Sequence, residues 1–361
     1  MTSMGMLGFI VWGGLPLMPF VQCASRIAPV ASDPLELATG KIQPPGASDR
    51  KAALDLLARA RGNYVLRRPG VGYNLKVTFT TVSLGQTNYD GNWDLEDLFL
   101  PGHGLHWTAR ASAGYSITGI SANGALYSDG SDGDVPLRLE EGRGILLHPL
   151  LSAEYASRES IRTTTAPFQG TTVACILLST SKKFDAPTLG RAWEESEECI
   201  DPQTGFLMMH SEAPGRYVVY DYTNATPFNG HTLPRTVTVH EGGRVVSTLT
   251  IQKLEEVTEA DQNLFLPTDR MKAKGRSVEM TAATKVSRVH GQVASGMTIQ
   301  PVCVFGLVTP TGQLVEAHSL QPSDPNSQAA VEDAKQISFS APPGAPPRQH
   351  FVFVIEKFIS R

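Results

Sequence analysis

Short segments in which apolar and polar residues alternate, separated by tight turns, constrain the fold of this chain most. From Tyr64 onward the spacing changes from helical to alternating, and Leu75, Val77 and Phe79 fall on one face of a strand. Such alternation is typical of an antiparallel strand with one buried face. Because long helical patterns are almost absent, we predict one large antiparallel sheet, curved or partly closed.

Three turns predict hairpins within this sheet. Asn123-Gly124 has the composition of a type I′ turn and lies between the strand-like segments 115–120 and 125–128. Further turns are predicted at 167–170 and at Glu241-Gly242-Gly243, each between two alternating segments. A tight turn joins strands that pair antiparallel, so these turns predict neighbours in the sheet.

One amphipathic helix is predicted before the first long strand. Ser48 is a candidate N-cap, and the helical pattern stops at Gly62. The apolar positions at helical spacing are Ala52, Ala53, Leu56, Leu57 and Ala60.

The N-terminal segment from Met4 to Val21 is almost wholly apolar and carries no charge. It predicts either a cleaved export signal or a retained membrane anchor, with acylation of Cys23 as a third alternative. Residues 1–23 are therefore assigned to a signal peptide or anchor and 24–47 to a tether. The expected location is the periplasm or cell envelope, with anchoring through residues 4–23 left open.

The cysteine pattern fits an exported protein. Cys175 lies in a strand-like segment and Cys199 precedes the turn at 201–205, so neighbouring strands can bring the two together. In an oxidising compartment we predict a Cys175–Cys199 disulfide. Cys303 lies in an apolar segment and is interpreted as a small buried residue.

Charge and motifs exclude several classes of function. The formal net charge is −4 and the isoelectric point is about 6.1, which gives no basic field for nucleic acid. The chain also lacks a nucleophile elbow, a phosphate-binding loop and a dinucleotide fingerprint. We therefore predict a protein that is not an enzyme, with no catalytic residues, no cofactor and no metal.

One run of acidic residues offers candidate catalytic groups and so bears on the prediction that the protein is not an enzyme. Glu194, Glu195, Glu197 and Glu198 lie beside Trp193, and paired carboxylates can act as general acid and base when their environments differ. Charge runs of this kind are usually solvated. The run is therefore interpreted as an exposed loop.

Two further groups suggest metal ligands. Asp129, Asp132 and Asp134 offer clustered oxygens, but their register does not fit a calcium-binding EF-hand loop, so a turn is predicted. His103 and His106 have a spacing that suits a metal, yet the sequence places no third ligand, so a loop is predicted.

The C-terminal part resembles the C-terminal domain of the TonB family. A strand, a turn at Pro310-Thr311-Gly312 and a second strand precede a helical segment at 327–336, and an alternating strand ends the chain. Ile337 stands where that family usually has Trp. The resemblance implies that a partner peptide adds to an exposed edge strand, predicted at Phe351, Val352, Phe353, Val354 and Ile355.

The preceding region resembles periplasmic lipoprotein carriers of the LolA type. The opening helix, the series of hairpins, the segment 199–207 and the closing 264–267 carry the likeness. It implies an incompletely closed barrel with an apolar cavity, although the same side chains would also suit a filled core. The candidate lining residues are Phe79, Trp93, Trp107, Tyr115 and Tyr127.

Together these patterns predict an α+β chain that is mostly antiparallel β. A half-open LolA-like barrel at 48–267, a linker at 268–284 and a small TonB-like domain at 285–361 follow the tether. The predicted function is an envelope protein that binds a lipid, lipoprotein or other apolar ligand and docks a partner, such as an outer-membrane receptor peptide. A TonB-type energy transducer and an envelope hydrolase are the alternatives.

Overall fold

The computed structural model describes most of the chain. The described residues are 26–27, 33–42, 46–67, 70–82, 90–122, 124–130, 135–180, 188–225, 227–277, 283–291, 297–340 and 349–360. The predicted export segment, Cys23, Asn123, Asp132 and Asp134 lie outside them.

The described elements follow the predicted mixture of many strands and few helices. The strands are β1 (Arg26–Ile27), β2 (Lys41–Ile42), β3 (Gly72–Thr81), β4 (Gly91–Leu100), β5 (Gly104–Ala111), β6 (Ser116–Ala122), β7 (Ala125–Gly130), β8 (Ser160–Phe168), β9 (Thr171–Ser179), β10 (Thr188–Leu189), β11 (Ser196–Ile200), β12 (Leu207–Ala213), β13 (Arg216–Asp221), β14 (Pro227–Phe228), β15 (His231–Thr232), β16 (Thr236–Glu241), β17 (Arg244–Val257), β18 (Thr284–His290), β19 (Thr298–Val308), β20 (Leu314–Ser319) and β21 (His350–Ser360). The helices are α1 (Ala47–Gly62), α2 (Leu137–Leu147), α3 (Ala153–Arg158), α4 (Asp269–Lys274) and α5 (Ser327–Lys335), with a 3-10 turn at Gln262–Phe265.

Twelve strands form one large sheet in the order β7-β6-β5-β4-β3-β17-β16-β13-β12-β11-β9-β8. Every pairing in it is antiparallel, and its end strands β7 and β8 do not pair with each other, so the sheet is curved but not closed. The predicted hairpins are present. Gln169 and Gly170 both have positive φ in the β8–β9 turn, as do Gly242 and Gly243 in the β16–β17 turn, because a two-residue turn of this hand matches the strand twist.

Helices α1, α2 and α3 pack on one face of this sheet, which we call the inner face. The main core includes Leu57 of α1, Leu139 of α2 and Ala156 of α3, packed with strand residues such as Leu249. Helix α1 ends at Gly62 as predicted, but the predicted N-cap at Ser48 is wrong: the helix begins at Ala47, so Ser48 already lies inside it.

The opposite, outer face is also covered in the half of the sheet around β9, β11, β12 and β13. Leu35 and Leu37 pack on Cys175, Cys199 and Met209 there. These leucines belong to the segment predicted as a tether, so its described part at 33–42 is packed on the sheet. The Cys175–Cys199 disulfide is confirmed, because antiparallel pairing places the two residues directly opposite each other.

A second sheet follows in the order β1-β19-β21-β18, with β20 also paired to β19. Helix α5 packs on one face of it through Ala330, Val331 and Ala334. The other face packs on the first part of the chain, where Phe305 and Phe353 meet Trp193. Cys303 is buried in the same cluster, as predicted, and burial raises the pKa of its thiol to about 12.

Residues 268–277, predicted as part of a linker, lie along the β7 edge of the large sheet. Met271 of α4 is buried, and the backbone N–H of Ser277 donates to the carbonyl of Leu126 at 2.8 Å. Phe265, in the predicted closing element, is buried against His103 and His106. This part of the chain therefore covers one end strand of the sheet.

Candidate functional site

Helix α2 lies against the inner face and defines the site. A side chain at Gly142 would meet the ring of Phe79 at 3.3 Å, so this glycine lets the helix approach the sheet closely. A side chain at Gly144, two residues later, would meet nothing within 4 Å. The same helix is therefore tightly packed on one side and borders empty space on another.

Part of that empty space is a cavity of about 330 Å³ between α2 and strands β5, β6 and β7, which we call the α2 cavity. Its volume is within the range of about 300–1,000 Å³ that is usual for small-molecule sites. Most of its apolar wall comes from Leu105, Trp107, Ile120, Leu126, Val135 and Leu147. The polar residues of the wall include Arg67, Glu140, Arg143 and Ser277.

Trp107 is held in the cavity wall by its neighbours. A side chain at Gly119 on the adjacent strand would meet the indole Nε1 at 2.0 Å, so only glycine leaves room for the ring there. The Arg143 guanidinium lies over the indole at 4.1 Å from its centroid and pairs with Asp97 at 3.2 Å. This arrangement places a fixed cation at the edge of an apolar surface.

The five aromatic residues predicted to line a cavity separate into two groups. Trp107 and Tyr127 line the α2 cavity. Phe79, Trp93 and Tyr115 are at most 6% exposed and lie in the core, where the Trp93 and Tyr115 rings meet edge to face at 5.4 Å. The strand register places Phe79, Trp93 and Trp107 on the inner face and Tyr127 on the opposite face. Sequence alternation cannot show where α2 fills the inner face.

A second cavity of about 240 Å³ adjoins the first at the C-terminal end of α2. Leu147, His148 and Arg67 line both cavities, and Tyr64 and Tyr73 line the second. The loop after α2 thus separates two spaces on the same inner face.

A third cavity, of about 450 Å³, lies on the other side of α2, and we call it the Lys285 cavity. Gly144 and His148 border both this space and the α2 cavity. Its wall contains more charged residues than that of the α2 cavity. The polar and charged residues include Glu159, Glu194, Glu198, His210, Glu212 and Lys285, with Ile145, Leu150, Leu151 and Leu178 as apolar neighbours.

The acidic run is not the solvated loop that was predicted. Glu195, Glu197 and Glu198 are at most 1% exposed. Strand alternation directs Glu197 to the outer face, where it pairs with Arg191 at 3.3 Å, and Glu198 to the inner face, where it pairs with His210 at 2.9 Å. Each carboxylate thus has its own cation, which is the condition for burying a charge.

Burial also changes the proton affinities in this run. It raises the pKa of Glu197 to about 8, outweighing the nearby Arg191 guanidinium. For His210, burial alone would lower the pKa, but the Glu198 carboxylate reverses this and raises it. The Glu198 carboxylate therefore stabilises the protonated form of His210.

A second buried ion cluster joins α2 to the small sheet. Arg138 donates to both oxygens of Glu241, at 2.6 and 3.0 Å, and Arg216 contacts Glu241 at 3.0 Å and Glu141 at 2.5 Å. Although burial opposes it, these guanidiniums hold the pKa of Glu241 well below 4.5. The cluster thereby holds the N-terminal part of α2 in place.

Aromatic residues of the small sheet complete this junction. The ring of Phe305 lies 5.3 Å from the Arg138 guanidinium carbon and 4.7 Å from that of Arg216, and Phe351 lies 4.9 Å from Arg138. His318 of β20 reaches Glu241 at 3.1 Å. No local sequence pattern indicates this cluster, because its members are far apart in the chain: Arg138 and Glu241 alone are separated by 103 residues.

The predicted partner-binding edge is wrong. Strand β21, which contains Phe351, Val352, Phe353, Val354 and Ile355, pairs with β19 on one side and with β18 on the other. Its alternation reflects burial in the centre of the small sheet. Among the described residues, β18 is one of the strands with an unpaired side, because it pairs with β21 alone.

The remaining metal candidates fall in ordinary structural roles. Asp129 pairs with Arg270 at 3.0 Å, and His103 and His106 pack against Phe265, where burial lowers the pKa of His106. Within the described residues, the one grouping with metal-like spacing is Cys175, Glu197 and Cys199. Its two sulfurs are joined in the disulfide, so neither is available as a thiolate.

Comparison with known proteins gives structural similarity only. No family model matches the chain, and no curated protein matches it. A putative outer-membrane lipoprotein-sorting protein domain from Vibrio parahaemolyticus is similar at 11% identity and TM-score 0.34, covering 58% of this chain and 95% of that one. A LolA superfamily protein from Nitrosomonas europaea is similar at 12% identity and TM-score 0.36, covering 60% and 97%.

A DUF1329 family protein from Desulfovibrio piger is also similar, at 8% identity and TM-score 0.38, covering 62% of this chain and 98% of that one. The first two names coincide with the LolA-type resemblance, whereas none of these findings supports a TonB C-terminal domain. All three scores are below 0.5, so we argue function from the geometry of the chain itself. No helix among the described residues has the length and apolar character needed to cross a membrane.

Proposed function

We propose that this chain is a non-enzymatic binding protein of the cell envelope that holds a lipid, an acyl chain or another apolar ligand on the inner face of its large sheet. The α2 cavity is the observation that carries this proposal. It joins an apolar wall containing Trp107 and Leu126 to a rim that carries Arg67 and Arg143. Each CH₂ group moved from water onto such a wall contributes about 0.8 kcal/mol.

The envelope location rests on two features of the chain. The N-terminal apolar segment at 4–21 suits export, and the buried Cys175–Cys199 disulfide suits an oxidising compartment. An apolar cargo that must cross an aqueous compartment needs a protein that shields it from water. The two observations therefore support the same role.

Filling the cavity tests this role. In Gly144→Leu the new side chain enters open space, so we expect the fold to persist and the affinity for a fluorescent fatty acid to fall at least ten-fold. Gly62→Leu is the matched control, since a side chain at this helical glycine also meets nothing within 4 Å and Gly62 does not line the cavity. Equal affinities of the two variants and the wild type would contradict the proposal.

Native mass spectrometry provides an independent test. Protein purified from an envelope fraction is expected to carry a copurified lipid that is released by denaturation and depleted in Gly144→Leu. A wild-type protein that is free of lipid and does not take up added lipid would count against an apolar ligand.

A second candidate function is docking of a partner chain by strand addition, with the location corrected to β18. Residues Lys285, Ser287 and Val289 of this strand are exposed, and Val289 is 52% exposed. The unpaired side of β18 offers backbone donors and acceptors to an extended peptide. The described residues contain no feature that carries TonB-type energy transduction, which is therefore not part of the proposal.

Hydrogen–deuterium exchange tests the docking surface. Detergent-solubilised outer-membrane proteins added to the purified chain are expected to protect the β18 amides, and Ser287→Pro is expected to abolish this protection. Protection that is confined to other segments, or unchanged in Ser287→Pro, would rule out docking at β18.

A further inference from the structure

The Lys285 cavity contains two opposite charges that the protein does not pair with each other. Glu159, just after α3, is only 7% exposed, yet its carboxylate makes no hydrogen bond or ion pair to any described residue. Lys285, on β18, donates to the carbonyls of Glu194 at 3.3 Å and Glu212 at 2.5 Å. An ammonium has three donors, so one remains available to the cavity.

The charge of Lys285 acts on the carboxyl group of Glu159. Burial raises the pKa of Glu159, and the Lys285 charge opposes this rise. Glu159 is buried, so its charge is costly unless an outside group completes its hydrogen bonds. Lys285 is exposed on β18 and can present its ammonium group to a ligand.

The floor of the cavity adds another open acceptor. Glu198 lines this space and is 1% exposed, and its Oε1 pairs with His210 whereas its Oε2 is buried without a hydrogen-bond partner. The remaining acids of the wall already have cations: Glu212 pairs with Arg216 and Glu194 with Lys357. The hydrogen-bonding groups that remain available to a ligand are thus the carboxylate acceptors of Glu159 and Glu198 and one donor of Lys285.

We propose that the Lys285 cavity binds a zwitterion, with the ammonium group of the ligand at Glu159 and its anionic group at Lys285. The class includes an ethanolamine phosphate headgroup and a free amino acid, which share this chemistry. Leu150, Leu151 and Leu178 provide an apolar wall beside the charges, which suits a ligand that also carries hydrocarbon.

The zwitterion is favoured over a simple ion because a single charge would satisfy one side and leave the other unpaired. An amine alone leaves Lys285 without an anion, and an anion alone lies close to Glu159 and Glu194, which repel it. This proposal goes beyond binding of an apolar ligand in the α2 cavity and does not require it, since the residues that carry it lie across α2.

Calorimetric titration of the full chain provides the test, with phosphoethanolamine as the probe and ethanolamine and inorganic phosphate as single-charge controls. We expect phosphoethanolamine to bind at least ten-fold more tightly than either control. Glu159→Gln and Lys285→Gln are each expected to lose at least ten-fold in affinity. The matched controls Glu154→Gln and Lys272→Gln alter exposed charges outside the cavity and are expected to change nothing.

Two further measurements distinguish a lipid headgroup from a free amino acid and test the two cavities independently. Short-chain phosphatidylethanolamine that binds more tightly than phosphoethanolamine indicates a lipid headgroup, whereas tighter binding of leucine indicates a free amino acid. Fatty-acid binding in the α2 cavity is expected to persist in Lys285→Gln, so each proposal can fail alone. Absence of phosphoethanolamine binding, or binding unchanged in folded Glu159→Gln and Lys285→Gln, would overturn the zwitterion site.

Discussion

The two halves of the large sheet differ in how completely their faces are packed and in where their charged residues lie. Around β5, β6 and β7 the inner face is apolar and incompletely filled, and its charged groups lie at the rim of the α2 cavity. Around β9 to β13 both faces are covered, and the interior contains Arg162, Arg191 and Arg216, each at most 4% exposed and paired with buried glutamates.

This difference indicates a division of roles. Paired buried charges fix geometry because each group is satisfied in one arrangement only, and breaking a pair is costly. An unfilled apolar face carries no such requirement and can accept different shapes. We infer that the charged half and the small sheet hold α2 in place, while the apolar half remains available to a ligand.

The strongest test of the charged half is Arg216→Met. Removing this guanidinium leaves Glu141 and Glu241 buried without one of their cations, so we expect a loss of about 3–5 kcal/mol in the free energy of unfolding. Urea denaturation measures it. The control Arg158→Met removes an exposed ion pair with Glu154 and should cost about 0–1 kcal/mol. A loss for Arg216→Met no larger than this control would contradict a fixing role.

The disulfide provides the next largest effect. Replacing Cys175 and Cys199 together by alanine removes a crosslink between residues 24 apart in sequence. We expect a loss of about 3 kcal/mol, since the crosslink restricts the unfolded chain. Denaturant curves of oxidised and reduced wild type should differ by a similar amount, and curves that coincide would show that the crosslink does not stabilise the charged half.

Glu197 predicts a pH dependence confined to the same half. Its folded pKa of about 8 exceeds the ordinary 4.5, so the native state binds this proton more tightly than the unfolded state does. Stability should therefore fall as pH rises from 4.5 to about 8, by about 1.4 kcal/mol per pH unit at most.

Glu197→Gln should flatten this slope, as measured by urea denaturation across the same pH range, whereas exposed Glu154→Gln should retain it. Glu36, Glu195, Glu198 and Arg191 also act on this carboxyl and are unchanged in both variants. An unaltered slope in Glu197→Gln would assign the pH dependence to one of those neighbours.

The smallest expected effect tests the open space beside α2 in the apolar half of the sheet. Gly144→Ala adds a methyl group to open space within a helix, so we expect a gain of about 0.5–1 kcal/mol. Gly142→Ala is the matched control, because its methyl group would press on Phe79 at 3.3 Å and should bring less gain or a loss. Thermal unfolding compares the two, and the reverse ranking would show that the described packing of α2 is incorrect.

Local sequence patterns predicted the strands, their hairpins and the disulfide, because each depends on neighbours in sequence or on adjacent strands. They failed for the acidic run, since nothing near Glu195 shows that Arg162 will reach it from 33 residues away. The packed segment at 33–42 was missed for the same reason. A signal was available in the alternation of Glu195, Glu197 and Cys199, which is typical of a strand.

The candidate site was predictable in part. Alternation placed Trp107 on the inner face but did not separate it from Phe79, because that distinction depends on where α2 lies. The position of α2 in turn depends on Arg138 and on aromatic residues of the small sheet. The binding surface depends on the position of α2, and residues distant in sequence hold α2 in place. Local sequence patterns therefore do not predict this surface.

Quenching of Trp107 fluorescence by a brominated acyl chain tests the central claim most directly. Trp107 lines the α2 cavity, whereas Trp193 lies in the junction with the small sheet. The account predicts saturable quenching with one ligand per chain that is largely lost in Trp107→Phe and retained in Trp193→Phe. No quenching, or quenching that is unchanged in Trp107→Phe, would contradict it.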